Sequence, residues 1–122
     1  MRYLLLALFI SSGAAYAQPL PTAIDCYQNS TQTEDIDAYM SCFVEDAVMT
    51  DVSRNFEGKT AIKRWALNEV IPYGESFSHI RILEQNDSYA KTEVAWSSWT
   101  AHYHYWWDNE GKITRMSLQY AE

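Results

Sequence analysis

The spacing of apolar positions divides the chain into a front with a period near 3.6 and a back with a period of two. Leu20, Ala23, Ile24 and Tyr27 fall at helical spacing, and so do Ile36, Tyr39, Met40 and Phe43. Apolar residues at i, i+3, i+4 and i+7 line one face of a helix, so two short helices are predicted, joined by the polar run NSTQT. Thr33 and the acids after it read as the cap of the second. Ala47 to Val52 alternates between acids and reads as a strand. Ile62, Trp65, Ala66 and Val70 predict a third amphipathic helix, opened near Gly58-Lys59-Thr60 and closed before Pro72.

From Phe77 onward the runs FSHIRILE, YAKTEVAW, WTAHYHYWW and KITRMSLQY alternate, with turns at QNDS and DNEG. Four strands with short connections imply an antiparallel meander. Packing it against the front gives an α+β domain, a conical barrel of three N-terminal helices on the concave side of a curved, mostly antiparallel sheet. Such a cone encloses a cavity unless large side chains fill it. Along the third of these strands Tyr103, Tyr105 and Trp107 share one face, and His102, His104 and Trp106 share the other.

With 122 residues the chain has room for one domain. Its first residues change the picture: Met1-Arg2, the apolar run YLLLALFI, then small residues ending in Ala15-Tyr16-Ala17. This is the pattern of a secretory leader over residues 1–17, cleaved before Gln18, with residues 18–122 as the mature domain. The apolar run is shorter than the roughly 20 residues a spanning helix needs, and no Cys follows it to carry a lipid. The expected location is therefore periplasmic or secreted, with no membrane attachment after cleavage. The charge of −7 grows by one unit when Arg2 is lost, which makes nucleic acid a poor partner. Cys26 and Cys42 would meet an oxidising compartment, either bridged or as two free buried thiols. No CxxC or Cys-His cluster accompanies them as a metal site. The His102 and His104 pair has a usable ligand spacing, with His79 or an acid as a third partner, but reads as two surface histidines, and no metal is assigned. No nucleophile elbow, phosphate loop or dinucleotide fingerprint is present.

Three segments, EDIDAYMSCFVEDAVMTD, FEGKTAIKRWA and YWWDNEGKITRMSLQY, in this order resemble the SnoaL-like branch of the nuclear transport factor two-like superfamily, which includes ketosteroid isomerase. The likeness is strongest over residues 27–70 and 103–120. It implies a conical barrel with a deep pocket, often dimeric. It implies no single reaction, because the superfamily holds isomerases, cyclases, dehydratases and members that only bind.

In ketosteroid isomerase-like members the general base lies five residues after the Asp of a D-A pair, and Asp46-Ala47 carries that position to Asp51. The same register puts Tyr27 at the place of an oxyanion-donating Tyr. Removing a proton next to a carbonyl builds charge on the carbonyl oxygen, so a carboxylate base and a phenol donor suit each other. The family's second acid falls at Tyr103, eight residues before Gly111, a departure that argues against steroid isomerisation while leaving a second phenol donor. The structural alternative is that Asp51 is a polar stop on a strand and Tyr27 is core packing.

Aromatic density is the remaining signal: 5 Trp, 9 Tyr and 4 Phe, richest in WSSWTAHYHYWW. The resemblance directs Tyr103, Tyr105 and Trp107 into the cone, so Phe43, Trp65, Tyr105 and Trp107 are expected to shape a pocket for a small apolar or aromatic molecule. The same rings could instead fill the cone or cover a homodimer face on the outside of the sheet. The functional expectation is a cofactor-free proton-transfer enzyme, an isomerase, cyclase or dehydratase, with a non-catalytic binding or accessory module as the alternative.

Overall fold

The computed structural model describes residues 19–121; the expected leader lies outside the described residues. Helix α1 spans Thr22–Gln32 and α2 Ile36–Ser41. A hairpin follows, β1 at Phe43–Asp51 and β2 at Arg54–Glu57, then α3 at Lys59–Glu69 and a 3₁₀ segment at Ile71–Ser76. Strands β3 at Ser78–Gln85, β4 at Tyr89–Trp96, β5 at Trp99–Trp107 and β6 at Ile113–Tyr120 complete one sheet in the order β2-β1-β6-β5-β4-β3. The architecture is the α+β one expected, with helices packed on a mostly antiparallel sheet. The exception to antiparallel pairing is β1 beside β6, which run parallel. No described helix is long and apolar enough to cross a membrane.

Several local expectations are corrected. The polar run NSTQT does not join two helices. Most of it forms the last turn of α1, because Ser30 turns inward and donates its hydroxyl to the carbonyls of Cys26 (2.8 Å) and Tyr27 (3.2 Å). Thr33 therefore ends α1, and the cap of α2 is Asp35, whose carboxylate accepts from the Ala38 amide at 3.0 Å. Phe43 opens β1 instead of closing α2. The helical spacing that recruited it coincides with an inward position on a strand whose register shifts between Phe43 and Val48. Strand β2 has no counterpart in the apolar pattern, since it is short and mostly exposed.

Cys26 on α1 and Cys42 after α2 form a disulfide with a Cα separation of 5.9 Å. Closing a loop of this length contributes about 3 kcal/mol in the chain-entropy model. It fastens the two helices at the closed end of the cone. The interior there is filled by rings. Tyr27 lies at centroid distances of 5.0–6.3 Å from Tyr39, Phe43, Phe77, Tyr103 and Tyr105, all of them buried. Aromatic pairs at these distances add to the area they bury, so the closed half of the cone is a packed core, not a cavity.

Candidate functional site

What remains open is the mouth, where strand ends and turns meet. A pocket of about 650 Å³ lies there. Asp51 ends β1 beside Leu118 of β6, and the Val52 amide donates to the Leu118 carbonyl at 2.9 Å, which fixes this corner. Trp65, Asn68 and Glu69 come from α3, and Tyr73 from the 3₁₀ segment. The opposite wall is the β4–β5 turn with Trp96, Ser97 and Trp99, closed by Tyr120 at the end of β6. Two turn residues of this rim hold positive φ without being glycine: Val52 at 59° and Ser97 at 54°. For a β-branched residue such as Val52 that region is an outlier, which the surrounding pairing must enforce.

Asp51 is the anchored acid of the pocket. Its Oδ2 accepts from the Trp65 indole Nε1 at 3.1 Å and from Arg54 Nη2, while Oδ1 has no hydrogen bond among the described residues. Arg54 in turn spans to α3, donating to both carboxylate oxygens of Glu69 at 3.0 and 2.7 Å. The two carboxylates hold the Arg54 guanidinium charged well above its usual range, and Arg54 holds Glu69 below the ordinary carboxylate value. Asp51 is largely enclosed, its side chain 14 % exposed against 51 % for Arg54. One oxygen of the acid is thus fixed and the other left free, in a pocket whose lining includes the rings of Trp65, Tyr73, Trp96, Trp99 and Tyr120.

The other expected site residues divide between the pocket lining and the buried interior, and the buried Tyr27 and Tyr103 remain close enough to Asp51 to feel its charge. Trp65 joins Asp51 on the pocket lining. Phe43, Tyr27, Tyr103 and Tyr105 are buried and absent from it. The Tyr39 hydroxyl donates to the Tyr27 oxygen at 3.0 Å, and the enclosed Tyr103 hydroxyl has no hydrogen-bond partner among the described residues. Burial pushes all four of these phenols, Tyr27, Tyr39, Tyr103 and Tyr105, well above the usual value of 10.0. Trp107 follows a register shift in the β5–β6 pairing, and its indole donates to the Asp87 carbonyl at 2.9 Å, away from the mouth.

Tyr105 belongs to a separate polar link. His79 shares a 2.9 Å contact through Nδ1 with the Gln28 side-chain oxygen, which also accepts from the His79 amide at 2.8 Å. An amide oxygen only accepts, so Nδ1 carries the proton and Nε2 accepts from the Tyr105 hydroxyl at 3.0 Å. On the outer face of the sheet, Tyr89 meets His104 Nδ1 at 2.7 Å and Arg115 lies over the Trp106 ring. Among the described residues no three His, Cys, Asp or Glu side chains gather as a metal site.

The sequence reading missed Tyr73, Trp96, Trp99 and Tyr120. The usable signal was the placement of Trp96 and Trp99 on either side of a two-residue turn, which brings both indoles to one end of the sheet, Trp96 partly packed on the core and Trp99 exposed.

No protein-family model and no curated protein matches the chain. Solved structures do. A SnoaL-like protein of unknown function from Burkholderia thailandensis shares 13% identity at a TM-score of 0.71, over 87% of this chain and 100% of that one. A candidate polyketide cyclase from Sinorhizobium meliloti shares 26% identity at a TM-score of 0.62, over 82% of this chain and 95% of that one. SalBIII, an epoxide hydrolase/cyclase-like enzyme with a role in pyran ring formation in the polyether salinomycin, shares 18% identity at a TM-score of 0.71, over 81% and 88%.

Proposed function

Taking the SnoaL-like fold of the nuclear transport factor two-like superfamily as the premise, we propose that this domain binds a small apolar or aromatic carbonyl compound in the mouth pocket and that Asp51 takes a proton from the carbon next to the carbonyl. The observation that carries the reading is the asymmetry of Asp51: Oδ2 is held by Trp65 and Arg54, and Oδ1 is free in a pocket whose lining includes rings. A base fixed through one oxygen presents the other in a defined direction, which is what proton abstraction needs. The electron pair of the broken C–H bond moves onto the carbonyl oxygen, where a donor must meet it. Tyr27 and Tyr103 are buried and absent from the pocket lining, so the donors are sought among lining groups such as Asn68 and Tyr120. Double-bond isomerisation of an enone, aldol-type ring closure and β-elimination of water from a carbonyl compound each can begin with this step, which requires no cofactor. Fold neighbours named as a polyketide cyclase and as a ketosteroid isomerase support this reaction class.

The test is α-carbon exchange of 2-tetralone in D₂O, followed by NMR, with wild type and Asp51→Asn. Wild type is expected to accelerate deuteration and the variant to lose the acceleration by on the order of a thousandfold while still binding the ketone. Equal rates in two proteins that both bind would leave a non-catalytic binding module, the reading favoured by the sealed phenols.

Two further elements belong to the proposal. The leader pattern and the disulfide support export, for which the N-terminus of protein recovered outside the cytoplasm should be Gln18; an intact Met1 there would overturn it. The outer sheet face, with Tyr89, His104 and Trp106, is the surface through which we propose a homodimer. Sedimentation at micromolar concentration should return a dimer mass, and a monomer would remove that part.

A further inference from the structure

The pocket wall opposite Asp51 has a geometry that a merely apolar ligand does not require. Trp96 and Trp99 meet at 6.5 Å with their planes 77° apart, and Trp99 meets Tyr120 at 5.8 Å and 63°. Rings set this steeply to one another form corners, and all three line the pocket, so ring faces as well as edges border it. Trp96 is fixed in that role, because its indole Nε1 donates to the Tyr73 carbonyl at 2.8 Å and so is spent on the protein. The face of an aromatic ring is electron-rich, and several faces around one point attract a cation that has little water to lose.

The charge of the lining agrees. Asp51 and Glu69 contribute two carboxylates and Arg54 one guanidinium, leaving one net negative charge. Arg54 is already engaged by both acids, so an anionic ligand would have to compete with two protein carboxylates for it. A chain of charge −7 also draws cations toward its surface over longer distances.

We infer that the box of Trp96, Trp99 and Tyr120 seats a quaternary or tertiary ammonium group, so that the pocket's ligand is a small apolar molecule bearing a cationic nitrogen. This rests on the reading of the mouth as a ligand pocket. It adds a second point of recognition, separate from Asp51, and orients the ligand with its cation on the β4–β5 turn and its remaining body toward the acid.

The experiment compares phenyltrimethylammonium with tert-butylbenzene, which has the same shape and no charge, by tryptophan fluorescence and NMR titration of the full chain. The cation is expected to bind about tenfold or more tightly than its carbon isostere, with the difference shrinking as salt is raised. Trp99→Leu, which keeps an apolar side chain at an exposed site, should erase the cation's advantage, bringing the affinities of the two probes together. An isostere that binds as tightly as the cation overturns this inference and leaves the apolar pocket standing. Cation binding that Trp99→Leu does not weaken overturns it as well, because the cation then sits elsewhere. Saturation by neither probe overturns both this inference and the ligand-pocket reading.

Discussion

Replacing Tyr103 by Phe is expected to make the protein more stable, although it deletes a polar group from a position the family resemblance marks for chemistry. The Tyr103 ring is enclosed between Tyr27, Phe77 and Tyr105, with centroids at 6.1, 5.4 and 5.9 Å, and its hydroxyl has no hydrogen-bond partner among the described residues. A buried hydroxyl without a hydrogen bond costs about 1–3 kcal/mol of desolvation. Removing the oxygen leaves a void of roughly 15 Å³, which at the cavity coefficient costs about 0.4 kcal/mol. The balance is a gain of about 1 kcal/mol, or about 5 °C in Tm for a domain of this size. Tyr27→Phe is the opposite case, because it strips the Tyr39 hydroxyl of its acceptor and leaves a new orphan. That variant should lose about 1–3 kcal/mol. Urea melts of the two variants beside wild type decide the matter. A Tyr103→Phe protein less stable than wild type by 1 kcal/mol or more, on the order of one lost hydrogen bond, would refute the orphaned hydroxyl. A rise in stability joined to a fall in turnover would refute instead the exclusion of Tyr103 from the reaction.

Two more outcomes follow from single residues. Burial holds the half-buried His79 imidazole at about 4 against an ordinary 6.5. The unfolded chain therefore takes up a proton near pH 6.5 that the folded chain refuses until about pH 4, so this stability is complete above pH 6.5 and falls through that window. Between pH 7 and 5 wild type should lose about 1–2 kcal/mol more than His79→Gln in parallel denaturant melts; equal slopes would show that the imidazole titrates freely. At Gly74 a side-chain carbon would fall inside the contact distance of the Thr31 carbonyl, which belongs to the backbone of α1 and does not yield like a side chain. Gly74→Ala should cost about 3 kcal/mol, and a melt within 0.5 kcal/mol of wild type (roughly the scatter of surface substitutions) would mean that the 3₁₀ segment does not press on α1 as described.

The apolar pattern carried most of the fold because each long element has one buried face and one wet one. The stripe of Ala23, Ile24 and Tyr27 marks α1, and the alternation of Ala101, Tyr103 and Tyr105 marks β5 with its inward side correctly given. Strand β2 escaped because the turn before it, Val52-Ser53, lacks the Gly or Asn that normally signals a tight hairpin; Val52 takes the positive φ itself. At the site, it was the family resemblance that singled out Asp51 and Trp65, and both line the mouth pocket. Alternation states which way a ring points, not how deep it sits. For that reason Tyr27, Tyr103 and Tyr105 were legible as inward residues but not as a sealed cluster shut off from the pocket lining.

That division of the cone has a functional consequence. A phenol-packed closed end is rigid, and its variation changes stability before it changes what the protein holds. The mouth is built from turn residues and element ends, which can vary without disturbing the core. Val52, Tyr73, Trp99 and Tyr120 are among the large apolar side chains left exposed, and all four stand around the mouth. Apolar surface gathered in this way is costly in water unless something covers it. In the function proposed here specificity belongs to the rim, to rings carried by the β4–β5 turn and the end of β6, while Asp51 stays on the strand end whose pairing with β6 sets its position.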